Sequence, residues 1–390
     1  MMQPTTFEIA SYAQYPSHHQ AQSLSLAQQS LQLAWSDGHQ SEFHYLWLRD
    51  NCPCSECVST LTREQLFEIC DVPLDLQPQQ AQLQDGYLTI LWEDGHRSRY
   101  HPGWLRAHCY AEAMRATRQW QAQSWDRDSI REALPEFDYA EVMEDDRALL
   151  DWLRLLRDWG ISLLRQVDTT PGTLLKVANR ISFIRETNFG TVFDVQAKPD
   201  ANTAAYTNLR LPLHTDLPTR ELQPGLQFLH CLANDAEGGE SILVDGFRIA
   251  EHMREHYPDE FAALSSLPME FHNKDRHSDY RFSAPALQLN RAGQVVEVRL
   301  ANFLRGPLDL PADQVLRHYR AYRTFIALTR EPVFQFFYRL SPGDLLVFDN
   351  RRVLHARRAF DLRQGRRHLQ GCYVDRDELL SRIRVLERQG

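Results

Sequence analysis

His214 and Asp216 stand one residue apart in LPLHTDLP, and His355 follows an apolar run in DLLVFDNRRVLHARR. On an extended chain alternate side chains share a face, so His214 and Asp216 project together. Two imidazoles and a carboxylate are the facial set that holds iron(II) in non-haem oxygenases while leaving neighbouring coordination positions open. A lone His-x-Asp is common, and its competing reading is a turn whose side chains cap backbone groups. The downstream sequence favours the metal: an apolar strand over 345–349, then His355, then Arg366 and Arg367 opening another strand. A guanidinium is a permanently charged, bidentate clamp for a carboxylate. Arg367 is therefore the candidate partner for the far carboxylate of 2-oxoglutarate, the co-substrate such centres consume with O2. Ser241 in GGESILVDG is a candidate hydroxyl donor to the same group.

A second cluster lies near the start. NCPCSEC brings Cys52, Cys54 and Cys57 within six positions, too close to pair independently as disulfides. Seven cysteines, an odd number, in a chain that opens without a signal-like segment read as reduced thiols. Three thiolates form a soft site that suits zinc, and His96 on a hairpin turn supplies a fourth donor. Such a site is closed and therefore structural; the competing reading is three turn cysteines with no metal. Cys70, Cys109, Cys231 and Cys372 are expected as core packing. His252 and His256 are expected on a solvated helix face, and His230 as a hydrogen-bonded core residue.

These groups need elements to position them. LQLAWSDGHQSEFHYLWLRDN reads as strand, turn and strand, and YLTILWEDGHRSRYHPGWLRAHC repeats it, sharing W-x-D-G-H and then W-L-R. TREQLFEICDV suggests a helix between them. Leu149, Leu150, Leu153, Leu156 and Trp159 mark an amphipathic helix ending at Gly160. Short apolar runs between turn residues then continue almost to the C-terminus, with helices expected at 247–266 and 311–330, a pattern of sandwich, jelly roll or barrel. The expected organisation is a loose arm over 1–29, a small mostly-β zinc-binding domain over 30–108, a linker over 109–147 and a catalytic domain over 148–390. A formal charge of −9 argues against a nucleic-acid surface, and no apolar run is long enough to span a membrane. A cytoplasmic location is the expectation.

WLRDNCPCSEC, LPLHTDLP, GLQFLHCL, GGESILVDGF, DNRRVLHARRAF and RRHLQGCYVDRDELLSR, in that order, resemble the γ-butyrobetaine dioxygenase family, which includes trimethyllysine dioxygenase. The resemblance implies a mainly β double-stranded β-helix (jelly roll) catalytic domain with helices, a small zinc domain before it, and a homodimer. It places Cys52, Cys54, Cys57 and His96 on zinc, His214, Asp216 and His355 on iron, and Arg367 on 2-oxoglutarate. It further implies a small-molecule substrate bearing a trimethylammonium group, which aromatic faces receive well. Phe189, Phe193, Tyr206 and Tyr373 are the candidates for those faces, with Asn202 and Asn302 for the substrate's anionic end. The implied reaction converts γ-butyrobetaine to L-carnitine with release of succinate and CO2. Trimethyllysine or a trimethylaminoethylphosphonate is the alternative substrate, and a zinc-folded binding protein with an inactive jelly roll is the non-enzyme alternative.

Overall fold

The computed structural model describes residues 12–197, 207–361, 363 and 365–389. They fall into two compact units, Met1–Trp120 and Gln121–Gly390. None of the described helices is long and apolar enough to cross a membrane.

The N-terminal unit is built twice from one plan. Strands Ala21–Leu26, Ser30–Trp35 and Gln40–His44 form one antiparallel sheet, followed by helix Tyr45–Asp50. Strands Pro78–Gln84, Tyr87–Trp92 and Arg97–Tyr100 form another, followed by helix Pro102–His108. In each, the hairpin tryptophan is buried and its indole N–H donates to a serine hydroxyl across the turn, Trp35 to Ser41 and Trp92 to Ser98, both at 2.9 Å. Three expectations fail here. Part of the expected loose arm is the strand Ala21–Leu26, which pairs along Ser30–Trp35. YLWLRD is a helix rather than the end of a strand. The helix expected over 62–72 reduces to a 3-10 turn, Ile69–Asp71, because Leu66 and Phe67 donate their amides to the carbonyl of Cys57 instead of to their own segment. Cys70 within that turn is exposed, not core; Cys109, Cys231 and Cys372 are buried.

In the second unit a six-stranded sheet carries, in order, Glu136–Asp138, Ile161–Arg165, Leu345–Asp349, Leu226–Asn234, Arg367–Val374 and Phe193–Val195. A four-stranded sheet carries Leu211–His214, Val353–Arg357, Ser241–Asp245 and Phe336–Tyr338. Together they make the double-stranded β-helix. Alternation does the sorting. On strand Arg367–Val374, Arg367, Leu369 and Tyr373 face a cavity, while Cys372 and Val374 pack into an apolar cluster with helices Asp146–Trp159, Thr173–Ile181 and Arg376–Gln389. The stretch expected as linker contains helices Arg127–Ala133 and Tyr139–Glu144, with strand Glu136–Asp138 parallel to Ile161–Arg165. Asp126 and Asp138, two acids in a polar stretch, are the N-caps that start those helices.

Asp245 and Arg352, both fully buried, pair at 2.7 Å where the small sheet meets helix Gly246–His256. Asp245 also accepts the amides of Trp125 and Phe247 at 3.0 Å. Removing one partner of a buried pair leaves an uncompensated charge, at a cost of about 3–5 kcal/mol. Asp245→Ala should therefore lower unfolding free energy in urea by that amount; a loss below about 1 kcal/mol would show that the backbone carbonyls around Arg352 suffice for it.

Candidate active site

His214 and His355 are Cα partners across the antiparallel pairing of Leu211–His214 with Val353–Arg357, and their rings lie 4.2 Å apart between centroids. Asp216 comes from the turn beyond the first of these strands. Its Oδ1 sits 3.2 Å from His214 Nε2 and 3.6 Å from His355 Nε2. One donor atom from each of the three lies within 4.8 Å of the others, the spacing of ligands around one ion. His214 Nδ1 is 2.9 Å from the carbonyl of Pro212, a contact that needs the proton on Nδ1 and leaves Nε2 a bare donor.

The turn bearing Asp216 is fixed from both sides. The Asp216 amide donates to Asn350 Oδ1 at 2.6 Å, and Asn350 Nδ2 donates back to the Asp216 carbonyl at 3.1 Å. The Thr215 amide donates to the carbonyl of Leu300 at 2.6 Å. Leu217, next in sequence, is held at φ +52°, a left-handed conformation that costs a non-glycine residue of order 1–3 kcal/mol. Tyr373 donates its hydroxyl to Asp216 Oδ2 at 2.7 Å, so the carboxylate's two oxygens have separate tasks. Burial alone would raise the Asp216 pKa, but His355, His214 and Tyr373 outweigh it and hold the group well below the usual carboxylate range. Burial, with His214 beside it, pushes His355 down to about 3. The site therefore offers a charged carboxylate and a neutral His355 imidazole at neutral pH.

A cavity of about 330 Å³ opens over these three residues. Phe189, Phe193 and Tyr373 form one side, with ring centroids 6.2 Å apart for the first pair and 5.0 Å for the second. Gly371 makes that wall possible: a Cβ there would meet the Phe193 ring at 2.4 Å. Arg367 and Ser241 line the cavity, and both are buried. Among the described residues, Arg367 Nε and Nη1 have no hydrogen-bond partner. Burial, reinforced by Arg357, lowers the Arg367 pKa to about 10, which leaves it charged. A buried cation without an acidic neighbour suits an incoming carboxylate. Gly239 gives it room, since a Cβ there would come within 2.9 Å of Arg367 Nε. Arg366 is exposed, as alternation expects.

Asn302 does not reach this cavity. It is exposed and accepts a hydrogen bond from the Tyr322 hydroxyl at 3.2 Å, while its neighbours Phe303 and Leu304 form the wall. Tyr206 and Asn202 lie outside the described residues. His252 and His256 stack on helix Gly246–His256; His256 is exposed, as expected, while His252 is half-buried edge-on to Phe334. His230 is buried, as expected, beside the backbone of Val167, and burial keeps it neutral, its pKa down at about 4. Arg357, Asn350, Gly239 and Gly371 were not singled out from sequence. Only Arg357, two residues beyond His355 and so on the same strand face, carried a local signal.

In the N-terminal unit Cys52, Cys54, Cys57 and His96 converge with donor atoms within 4.8 Å of one another. His96 Nε2 lies 3.3, 3.6 and 3.6 Å from the three sulfurs. This closed Cys3His set is compatible with structural zinc.

Tyr373→Phe keeps the ring and deletes the bond to Asp216. Hydrogen bonds to charged groups contribute about 1.5–3 kcal/mol, and partial solvent access reduces that figure here. Divalent-metal affinity, read from cobalt(II) absorption, should fall about three- to tenfold. Unchanged affinity would make Tyr373 a cavity wall and nothing more.

Comparison with known proteins agrees with this geometry. The family model for taurine catabolism dioxygenase TauD, TfdA family, matches residues 116–373. That for the N-terminal region of gamma-butyrobetaine hydroxylase-like proteins matches twice, over 23–87 and 79–140. Gamma-butyrobetaine dioxygenase of Pseudomonas sp. (strain AK-1) is 55% identical over 97% of this chain and 100% of its own. The human enzyme of that name is 34% identical over 92% and 95%. Mitochondrial trimethyllysine dioxygenase of Bos taurus is 33% identical over 89% and 83%. The chain thus belongs to the γ-butyrobetaine dioxygenase family, within the iron- and 2-oxoglutarate-dependent oxygenases.

Proposed function

We propose that the chain hydroxylates γ-butyrobetaine to L-carnitine, consuming 2-oxoglutarate and O2 and releasing succinate and CO2. The carrying observation is the aromatic wall of Phe189, Phe193 and Tyr373 on the same cavity as the two-histidine, one-carboxylate cluster. A trimethylammonium group has no N–H to donate, so its recognition falls to ring faces and apolar contact. The 55% identity to the Pseudomonas enzyme favours γ-butyrobetaine over trimethyllysine, whose dioxygenases match at 30–33%.

In this reading His214, Asp216 and His355 hold iron(II), which when bound activates O2 for the coupled decarboxylation and hydroxylation. The protein's own part is placement. Arg367 and Ser241 hold the far carboxylate of 2-oxoglutarate, the aromatic wall seats the cation, and Leu229, Leu243 and Leu369 keep the cavity dry. Cys52, Cys54, Cys57 and His96 hold zinc, which keeps the N-terminal unit folded. The protein works as a homodimer in the cytoplasm.

Assay of γ-butyrobetaine beside trimethyllysine and trimethylaminoethylphosphonate tests the substrate. Hydroxylated product from γ-butyrobetaine at the highest kcat/KM is the expected result; preference for either other compound reassigns it. Absence of succinate formation with all three would favour a binding protein.

Arg367→Lys keeps the charge and loses the fork. A charge-assisted bond contributes about 1.5–3 kcal/mol, so the KM for 2-oxoglutarate should rise about ten- to hundredfold with that for the amine little changed. Arg366→Lys should be silent. The reverse pattern would move the clamp to Arg366.

Cys54→Ser should lower zinc content below one per chain and lower the melting temperature, because binding energy at structural zinc is folding energy. Metal-free protein that melts as before would remove zinc from this unit.

A further inference from the structure

The two halves of the N-terminal unit repeat residue by residue at a separation of 57 positions. Trp35, Asp37, His39, Ser41, Trp47, Leu48, Arg49 and Cys52 recur as Trp92, Asp94, His96, Ser98, Trp104, Leu105, Arg106 and Cys109. The double match of the N-terminal family model follows the same repeat. The polar contacts repeat too, and the two ion pairs are exchanged between the halves. Arg49 from the first helix reaches Asp94 of the second hairpin, and Arg106 from the second helix reaches Asp37 of the first. The amides of His39 and His96 both donate to the aspartate two residues before them. The Cys52 amide donates to the Arg49 carbonyl and the Cys109 amide to that of Arg106, both at 3.3 Å. Val58 donates to Cys54, and Arg115 to Ala111, both at 2.9 Å.

The repeat extends to the metal cluster. His96 of the second hairpin meets Cys52, Cys54 and Cys57 beyond the first helix. The mirror of that site is His39 of the first hairpin with Cys109, Ala111 and Met114 beyond the second helix. Two of the four donors survive there, and they are together: Cys109 Sγ lies 3.6 Å from His39 Nε2, within the range of the sulfur–nitrogen distances in the complete cluster. Cys109 is fully buried, and Met114 packs against the same apolar cluster.

We propose that His39 and Cys109 form a second soft-metal site, the counterpart of the Cys52/Cys54/Cys57/His96 cluster, cut down to a thiolate and an imidazole. Zinc asks for four donors, and this buried half-site has lost two. A buried thiolate with a single imidazole beside it suits a monovalent thiophilic ion of the copper(I) class, which soft sulfur donors select. The oxygenase centre offers no thiol and plays no part in this site.

The test uses the full chain, zinc-loaded, in a Cys70→Ser background that removes the exposed thiol. Anaerobic titration with cuprous ion against a chromophoric chelator should show one equivalent retained without loss of zinc. Adding Cys109→Ser should abolish it. Equal cuprous binding with and without Cys109, or displacement of zinc instead, would overturn the site. A second variant tests the frame itself. Ala111→Cys with Met114→Cys rebuilds the missing donors, and zinc should rise from one to two per chain, doubling the thiolate-to-cobalt absorption on cobalt substitution. A folded double variant, by circular dichroism, that still holds one zinc would equally overturn it.

Discussion

Four consecutive residues, Asp349 to Arg352, turn the chain from the large sheet into the small one, and each is tied to a different segment of the second unit. Asp349 pairs with Arg376 at the start of the C-terminal helix. Asn350 brackets the Asp216 peptide. Arg351 pairs with the buried Glu297, and Arg352 with Asp245. Three residues later the chain delivers His355. The geometry of the ligand set therefore depends on this turn, because it fixes both the strand that carries His355 and the loop that carries Asp216. A one-residue slip of Val353–Arg357 against Leu211–His214 would turn His355 out of the cavity. The polar ties at the turn make such a slip expensive, since each would leave a buried charge or amide unpaired.

The charges inside the cavity follow from the same arrangement. Asp216 stays ionised, His355 stays neutral, and Arg357 and Arg367 both stand charged with pKa values of about 10, lowered first by burial. Arg357 donates to the carbonyls of Thr207 and Leu209 at 2.6 and 2.9 Å. Among the described residues that line the cavity, two buried guanidinium groups stand against one carboxylate, a net positive balance without a metal. That balance suits a dianionic co-substrate better than a monoanion, and agrees with 2-oxoglutarate as the reading of the Arg367 clamp.

What could be read from sequence were features whose chemistry is local. Cys-x-Cys-x2-Cys and the alternation separating Arg366 from Arg367 depend on spacing alone; His-x-Asp was legible as a pair, but the strand ends at His214, and Asp216 reaches it from a bend held by Asn350 rather than by alternation. The strands from Ile161 onward were legible for the same reason. Asn350 was not, because its partner lies 134 residues away. Gly239 and Gly371 matter for the space they leave, and only the packed Arg367 and Phe193 reveal that space. The helix expected over 62–72 had helical composition, but its amides were claimed by Cys57 in the metal-binding turn. Asn302, a candidate for the substrate's anionic end, sits on a 3-10 turn that points it at Tyr322 instead.

The wall itself explains how a methylated cation can be told from an unmethylated one. A primary ammonium carries three N–H donors and loses their water on entering a cavity; without acceptors that loss is not recovered. Phe189 and Phe193 have no acceptor to offer. Tyr373 has its hydroxyl committed as a donor to Asp216 Oδ2. The described part of the wall thus presents ring faces, which attract a trimethylammonium electrostatically and ask for no hydrogen bond. Discrimination comes from what is withheld as much as from what is supplied. Because the tyrosine that completes the wall also steadies the metal-binding carboxylate, the surface that selects the cation and the centre that would oxidise the substrate share one side chain.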